Sequence, residues 1–262
     1  MKCTAVIPTY NERQNIGELI EQVLALGPEF HIVVVDDNSP DGTGELLRGI
    51  QERNGRVRVI HRAGKSGLGT AYMDGMTFAL ADGADYVVQM DADFSHSPAC
   101  LPQFLSTAEE TGADVVIGTR YASGGRIRNW PLARHVLSRV GNFYTRLLLG
   151  STFSDYTSGF MLHRASALRD LPFCEFAGSN FAFLLEMKTE YGRRGLCTVE
   201  VPIEFVNRTR GASKIAPHIV WEAFRIVLHI YRRHGRAAYG STALPEVEAP
   251  LAAPDSPQRR VP

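Results

Sequence analysis

Cysteine is scarce in this sequence, and the four present are scattered. Cys3, Cys100, Cys174 and Cys197 form no CxxC pair and share no zinc-ligand spacing with histidine. That pattern argues against a zinc site and a disulfide framework, so a reducing cytosol is the expected setting. An excess of charge of either sign is also lacking, since 28 basic residues balance 28 acidic ones. No global field recruits nucleic acid or an anionic membrane, and any anion binding must be local. Long hydrophobic runs are absent as well. The apolar stretch after Lys2 is broken by Pro8 and is too short for a signal peptide. Nothing approaches the roughly 20 apolar residues of a membrane span. The nearest candidate, residues 219–231, is interrupted by Glu222, Arg225 and His229 and reads as amphipathic.

What is present is a chain of 262 residues, 44% hydrophobic, long enough to bury a substantial core. Strands are expected at Cys3 to Ile7, His31 to Val35, Val57 to His61, Tyr86 to Met90 and Val115 to Thr119. Helices are expected between them: one capped by Asn11 with Ile16, Leu19, Ile20, Val23 and Leu24 at helical spacing, then Gly44 to Arg53, Thr70 to Ala81 and Leu101 to Glu110. Continuous apolar strands alternating with helices predict an α/β fold with a mainly parallel central sheet flanked by helices. Further on, helices are expected near Val136 to Leu149 and Phe181 to Arg193, with a strand at Thr198 to Phe205. One catalytic domain is expected over residues 1–236, closed by an amphipathic helix at about 217–234. Residues 237–262 read as a disordered tail of Ala, Pro, Ser and charge.

Parallel sheets bind ligands at the carboxyl ends of their strands. Polar clusters fall at those ends: Thr9 to Glu12, Asp36 to Thr43, Arg62 to Gly69 and Asp91 to His96. Asp91 and Asp93 follow a buried strand, and hard oxygen donors of this kind suit Mg²⁺ or Mn²⁺ shared with substrate phosphates. The competing reading of any acid-x-acid pair is a solvated turn. Asp36, Asp37 and Asp41 can accept hydrogen bonds from a ribose or a base edge, or can simply build an Asx-turn and helix cap. Arg62 and Lys65 among Gly64, Gly67 and Gly69 make a basic glycine-rich loop suited to phosphate, and equally an ordinary surface turn. Arg120, Arg126, Arg128 and Arg134 surround Trp130, and Arg208, Arg210 and Lys214 surround Gly211. Some of these will be solvated or paired with carboxylates, and the rest suit an acceptor that is itself a phosphate.

Taken in order, the motifs Pro8-Thr9-Tyr10-Asn11-Glu12, Asp36-Asp37-Asn38-Ser39-Pro40-Asp41-Gly42-Thr43, Lys65-Ser66-Gly67-Leu68-Gly69-Thr70-Ala71, Met90-Asp91-Ala92-Asp93-Phe94-Ser95-His96, Gly118-Thr119-Arg120-Tyr121, Ser158-Gly159-Phe160 and Arg208 to Lys214 resemble family 2 glycosyltransferases of GT-A fold. Within that family the full set is similar to the dolichol- or polyprenol-phosphate mannose synthases. The resemblance implies a nucleotide-diphospho-sugar transferase acting on GDP-mannose and a polyprenyl phosphate, with inversion. It implies that Pro8, Tyr10, Glu12 and Asp37 line the nucleotide pocket, that Asp91 and Asp93 hold the divalent metal, and that Ser95 lies where a further ligand is sometimes contributed. Arg120, Arg134, Ser138, Arg208 and Lys214 would hold the acceptor phosphate or the donor diphosphate. Alternatives are another donor such as UDP-glucose, or a soluble acceptor. If the acceptor is a lipid, Trp221 to Arg233 is expected to dock at the cytoplasmic face of the membrane, or a membrane partner assists. The other reading of that helix's apolar face is core packing.

Overall fold

The computed structural model describes residues 1–150, 153–176, 182–207 and 217–236. Arg208, Lys214, residues 178–181 and the expected tail at 237–262 lie outside them. In chain order the elements are β1 (Cys3–Thr9), α1 (Ile16–Ala25), β2 (Phe30–Asp36), α2 (Thr43–Arg53), β3 (Val57–His61), α3 (Leu68–Ala81), β4 (Tyr86–Gln89), α4 (Leu101–Thr111) and β5 (Val115–Thr119). There follow β6 (Arg126–Arg128), α5 (Leu132–Leu149), β7 (Met161–Arg164), α6 (Ala165–Arg169), α7 (Ala182–Arg193), β8 (Thr198–Pro202), β9 (Glu204–Val206) and α8 (Pro217–His234).

Seven strands form one sheet in the order β3-β2-β1-β4-β7-β5-β8, parallel except for β7, which runs antiparallel to both its neighbours. Side chains alternate across the strands, so each strand feeds two cores. Ala5, Ile7, Ile32 and Val34 join the core that holds Leu19 of α1 and Phe104 of α4. Val6, Val33 and Val35 join the core that holds Met76 of α3 and Phe183 of α7. Each such aliphatic side chain, fully buried, contributes about 1.5–3 kcal/mol. Close approach of α3 depends on Gly75, where a Cβ would run into Val6 and come within 3.0 Å of Val35.

Two expectations are corrected, and one strand is new. Asn11 does not cap α1: it sits in the left-handed region at φ 58°, and the helix starts four residues later, after Asn15. The apolar run from Thr198 to Phe205 is two strands. It leaves the main sheet at Ile203, and β9 pairs with β6 in a separate two-stranded sheet. The antiparallel strand β7 was not expected at all, because its four residues include His163 and Arg164 and show no alternation. For α8, core packing prevails: Ile226, Val227 and Ile230 are buried. All four cysteines are free.

The parallel register brings the ends of β1 to β4 to one rim, with Thr9 opposite Asp36 and Asp36 opposite His61. The four polar clusters are thereby gathered beside one another.

Candidate active site

At the end of β4 the chain passes through buried Met90 into a turn that carries Asp91, Asp93, Ser95 and His96. Phe94 in that turn adopts the left-handed region at φ 59°, a conformation a bulky side chain rarely takes. The Ser95 N–H donates to Asp93 Oδ1 at 3.0 Å, and the Tyr72 hydroxyl donates to Asp91 Oδ1 at 2.9 Å. His96 is buried, stacked on Phe160 with ring centroids 4.7 Å apart, and burial lowers its pKa, so the ring is neutral at pH 7. Its Nδ1 accepts the Asp91 N–H at 3.2 Å, which leaves the ring proton on Nε2. Asp91, Asp93, Ser95 and His96 all line one cavity of about 200 Å³.

The same cavity is also lined by two cations, Arg120 and Arg134. Arg120 is buried at the end of β5 and clamped by Asp155: its Nε and Nη2 donate to the carboxylate at 2.7 Å each, and its N–H donates at 3.2 Å. Its Nη2 also donates to Thr157 Oγ1 at 2.6 Å. Burial by itself would push the Asp155 carboxyl up, but the guanidinium beside it holds it down to about 2. Arg120 stays charged, because the attraction and hydrogen bonds of Asp155 outweigh desolvation. Arg134 stacks over Trp130 at 4.2 Å and donates to Asn207 Oδ1 at 2.9 Å. Ser138 accepts the Tyr121 hydroxyl at 2.8 Å. Beyond these groups the lining turns apolar, with Leu137 and Tyr144 of α5 facing Ala223, Phe224 and Val227 of α8.

Of the expected residues, Asp91, Asp93, Ser95, Arg120, Arg134 and Ser138 come together in this cavity. Pro8, Tyr10, Glu12, Asp37, Asp41 and Lys65 are not part of its lining and stand on the neighbouring rim of β1 to β3. There, Asp37 pairs with Arg62 at 3.2 Å, close enough for attraction though not aligned as a hydrogen bond. Burial raises the Asp37 pKa against that attraction. Lys65 lies 4.9 Å over the Tyr10 ring, and Glu12 accepts the Asn15 side-chain N–H at 2.9 Å. Asp41 is engaged in the turn itself, accepting the Thr43 N–H and hydroxyl at 3.0 and 2.6 Å and the Arg13 N–H at 3.1 Å. Arg126 and Arg128 are exposed, and Arg128 pairs with Glu204 at 2.6 Å. Sequence reading missed Asp155 and Tyr72; Asp155 lies in a Ser- and Thr-rich stretch without a charged neighbour, Tyr72 lies within an expected helix, and only the folded partner identifies each.

No cluster of three His, Cys, Asp or Glu occurs among the described residues, so a cation here would rest on two carboxylates and complete its shell with substrate oxygens. That fits Mg²⁺ or Mn²⁺, hard ions that commonly take one or two carboxylates together with phosphates.

The architecture, with acidic and basic groups at the carboxyl rim of the sheet, is that of a GT-A nucleotide-sugar transferase. Two solved structures share the fold: glucosyl-3-phosphoglycerate synthase from Mycobacterium tuberculosis in complex with Mn²⁺ and UDP-glucose (TM-score 0.63, 20% identity, 90% of this chain and 80% of that one) and a mannosyltransferase from Pyrobaculum calidifontis in complex with GDP-Man and Mn²⁺ (0.52, 16%, 90% and 76%). Residues 4–172 match the family described as Glycosyl transferase family 2, and the chain belongs to that family. It is 41% identical over 219 residues to polyprenol monophosphomannose synthase of Mycolicibacterium smegmatis, covering 83% of this chain and 82% of the relative. It is 40% identical over 223 residues to undecaprenyl-phosphate mannosyltransferase of Micrococcus luteus, covering 85% and 91%. The protein is a glycosyltransferase.

Proposed function

We propose that this enzyme transfers mannose from GDP-mannose to a polyprenyl phosphate with inversion at the anomeric carbon. One observation carries the reading: the Asp91 and Asp93 carboxylates and the Arg120 and Arg134 guanidinia line one cavity, whose remaining lining includes apolar residues of α5 and α8. An anionic acceptor with an apolar tail matches both the cations and the apolar lining, and the names of the two close relatives agree with it.

In this reading Asp91 and Asp93, with Ser95 beside them, hold Mg²⁺ or Mn²⁺, which supplies charge neutralisation at the donor diphosphate. Pro8, Tyr10, Glu12, Asp37, Asp41 and Lys65 line the approach of the nucleotide. Arg120, Arg134 and Ser138 hold the acceptor phosphate, together with Arg208 and Lys214. A phosphate oxygen attacks C1 of mannose from the face opposite the diphosphate. The C1–O bond to the diphosphate breaks, and its electron pair leaves with GDP. A phosphate monoester is largely dianionic at neutral pH, so no general base is required and positioning dominates. Assaying a panel of nucleotide sugars against polyprenyl phosphates of different length tests the assignment. GDP-mannose should exceed UDP-glucose by at least about 100-fold in kcat/KM, and water-soluble phosphates should be poor acceptors. Preference for UDP-glucose or for a soluble acceptor would overturn it.

The membrane contact falls on α5 in this reading. Leu132, Val136, Leu137, Val140, Phe143 and Leu147 are 40–78% exposed along that helix, and Trp221 of α8 is 66% exposed. The helix carries Arg134, Arg139 and Arg146 and no carboxylate, the composition of a face that rests on anionic lipid. This face adjoins the apolar end of the cavity, to which Leu137 contributes. No described helix is long and apolar enough to cross a membrane. Sedimentation with vesicles containing anionic phospholipid should show binding that Val140→Glu with Phe143→Glu weakens about tenfold or more, because each apolar side chain withdrawn from water contributes about 1.5–3 kcal/mol. Unchanged vesicle binding, or loss of a dimer instead, would contradict this docking face.

A further inference from the structure

Lys188 is fully buried in the middle of α7, on a stretch whose every residue from Ala182 to Tyr191 is buried. No carboxylate oxygen lies within ion-pair distance of its Nζ among the described residues. It donates instead to two backbone carbonyls, Asp155 O and Ser158 O, at 2.7 Å each. An ammonium group withdrawn from water without a direct counter-ion is costly, and a methionine or leucine would fill the space without that cost.

What this lysine holds is the turn that holds Arg120. The two carbonyls are three residues apart, so one ammonium ties the ends of the segment together. Within it, Asp155 accepts from Arg120 Nε and Nη2, and Thr157 accepts from Nη2 and stands 3.3 Å from Ser138 Oγ. The Ser158 hydroxyl donates to Gly118 O at 2.5 Å, fastening the turn to β5. On the other side Ser154 donates to Glu200 at 3.0 and 2.8 Å. Every Arg120 donor except Nη1 is taken up by this web, and Arg120 lines the cavity. Lys188 does not line it.

Resting on the acceptor reading above, we infer that Lys188 is a positioning residue, fixing the Arg120 guanidinium against the acceptor phosphate through the turn from Asp155 to Ser158. Its charge is also within reach of titration. Burial pushes the Lys188 ammonium down to about 8, with Asp155 and Glu200 raising it and Arg120 lowering it. His163 on β7 also feels its charge and is itself neutral, held down to about 3 mainly by burial. As pH rises through about 8 the ammonium becomes an amine, and its two charge-assisted bonds weaken to neutral ones.

The test uses the full chain with Mn²⁺, GDP-mannose and undecaprenyl phosphate. Lys188→Met should raise the acceptor KM about tenfold or more while the donor KM stays within about twofold. Combined with Arg120→Lys, it should add little to the single Arg120→Lys defect, because both act on one contact. In the wild type the acceptor KM should rise between pH 7 and 9.5 while the donor KM holds. That profile decides the matter even if Lys188→Met does not fold. An acceptor KM independent of pH, or a Lys188→Met variant that only lowers kcat in proportion to its folded fraction, would overturn the inference. Absence of mannose transfer by the wild type to any polyprenyl phosphate would instead sink the acceptor reading on which it rests.

Discussion

Asp93→Ala is expected to lower kcat of the folded protein by about 1000-fold or more, some 4 kcal/mol of transition-state stabilisation, a loss far larger than any accompanying fall in folded fraction. Asp93 is buried at 7% exposure beside Asp91, and both line the cavity where the departing diphosphate gathers charge. Asp91 and Asp93 are the only carboxylates in the described lining, and the remaining polar side chains there, Arg120, Arg134, hydroxyls, the indole of Trp130 and a His96 whose Nδ1 is already committed, bring no negative charge to a cation. Asp93→Ala also leaves the buried Ser95 N–H without its acceptor, so a stability cost of about 1–3 kcal/mol is expected beside the loss of rate. Transfer kinetics and differential scanning calorimetry on the same sample check both parts. A variant that keeps a rate near that of the wild type would show that the pair is a solvated turn after all.

Asp155→Ala is expected to cost about 3–5 kcal/mol of folding stability, since it leaves the Arg120 guanidinium buried without its counter-ion. The pair is bidentate, at 2.7 Å on both arms, and neither side chain is more than 5% exposed. Its pH dependence has a definite sign. The folded carboxyl titrates at about 2, below its unfolded value of about 3.9. The stabilisation is therefore present above about pH 4 and is lost as pH falls from there through 2. Urea unfolding from pH 7 to 2 should show wild type and Asp155→Asn converging at the acid end. Equal stability at pH 7 would contradict the account.

The parallel half of the fold was legible because strands buried on both faces read as unbroken apolar runs, such as Ile32 to Val35, closed by a polar turn. The sheet beyond β4 was not. Thr198 to Phe205 is one apolar run in sequence, yet it serves two sheets, and only the pairing partners of β8 and β9 reveal the break. The stripe on α5 has the spacing of a core face. Nothing in a single helix says that its apolar side points outward, whereas the comparable side of α8 is buried. Asp91, Asp93 and the arginines could be found because acids after a buried strand and cations around a glycine turn are local signals. Asp155 and Lys188 could not, because their meaning comes from an Arg120 that lies 35 residues before Asp155 and from carbonyls that carry no side-chain signature.

The most direct test of the account is transfer of radiolabelled mannose from GDP-mannose to undecaprenyl phosphate by the purified chain with Mn²⁺. It should be run beside EDTA and Asp93→Ala. The account predicts label in the lipid extract that disappears in both controls. No label in that extract, from folded protein that binds GDP in the presence of Mn²⁺, would contradict it.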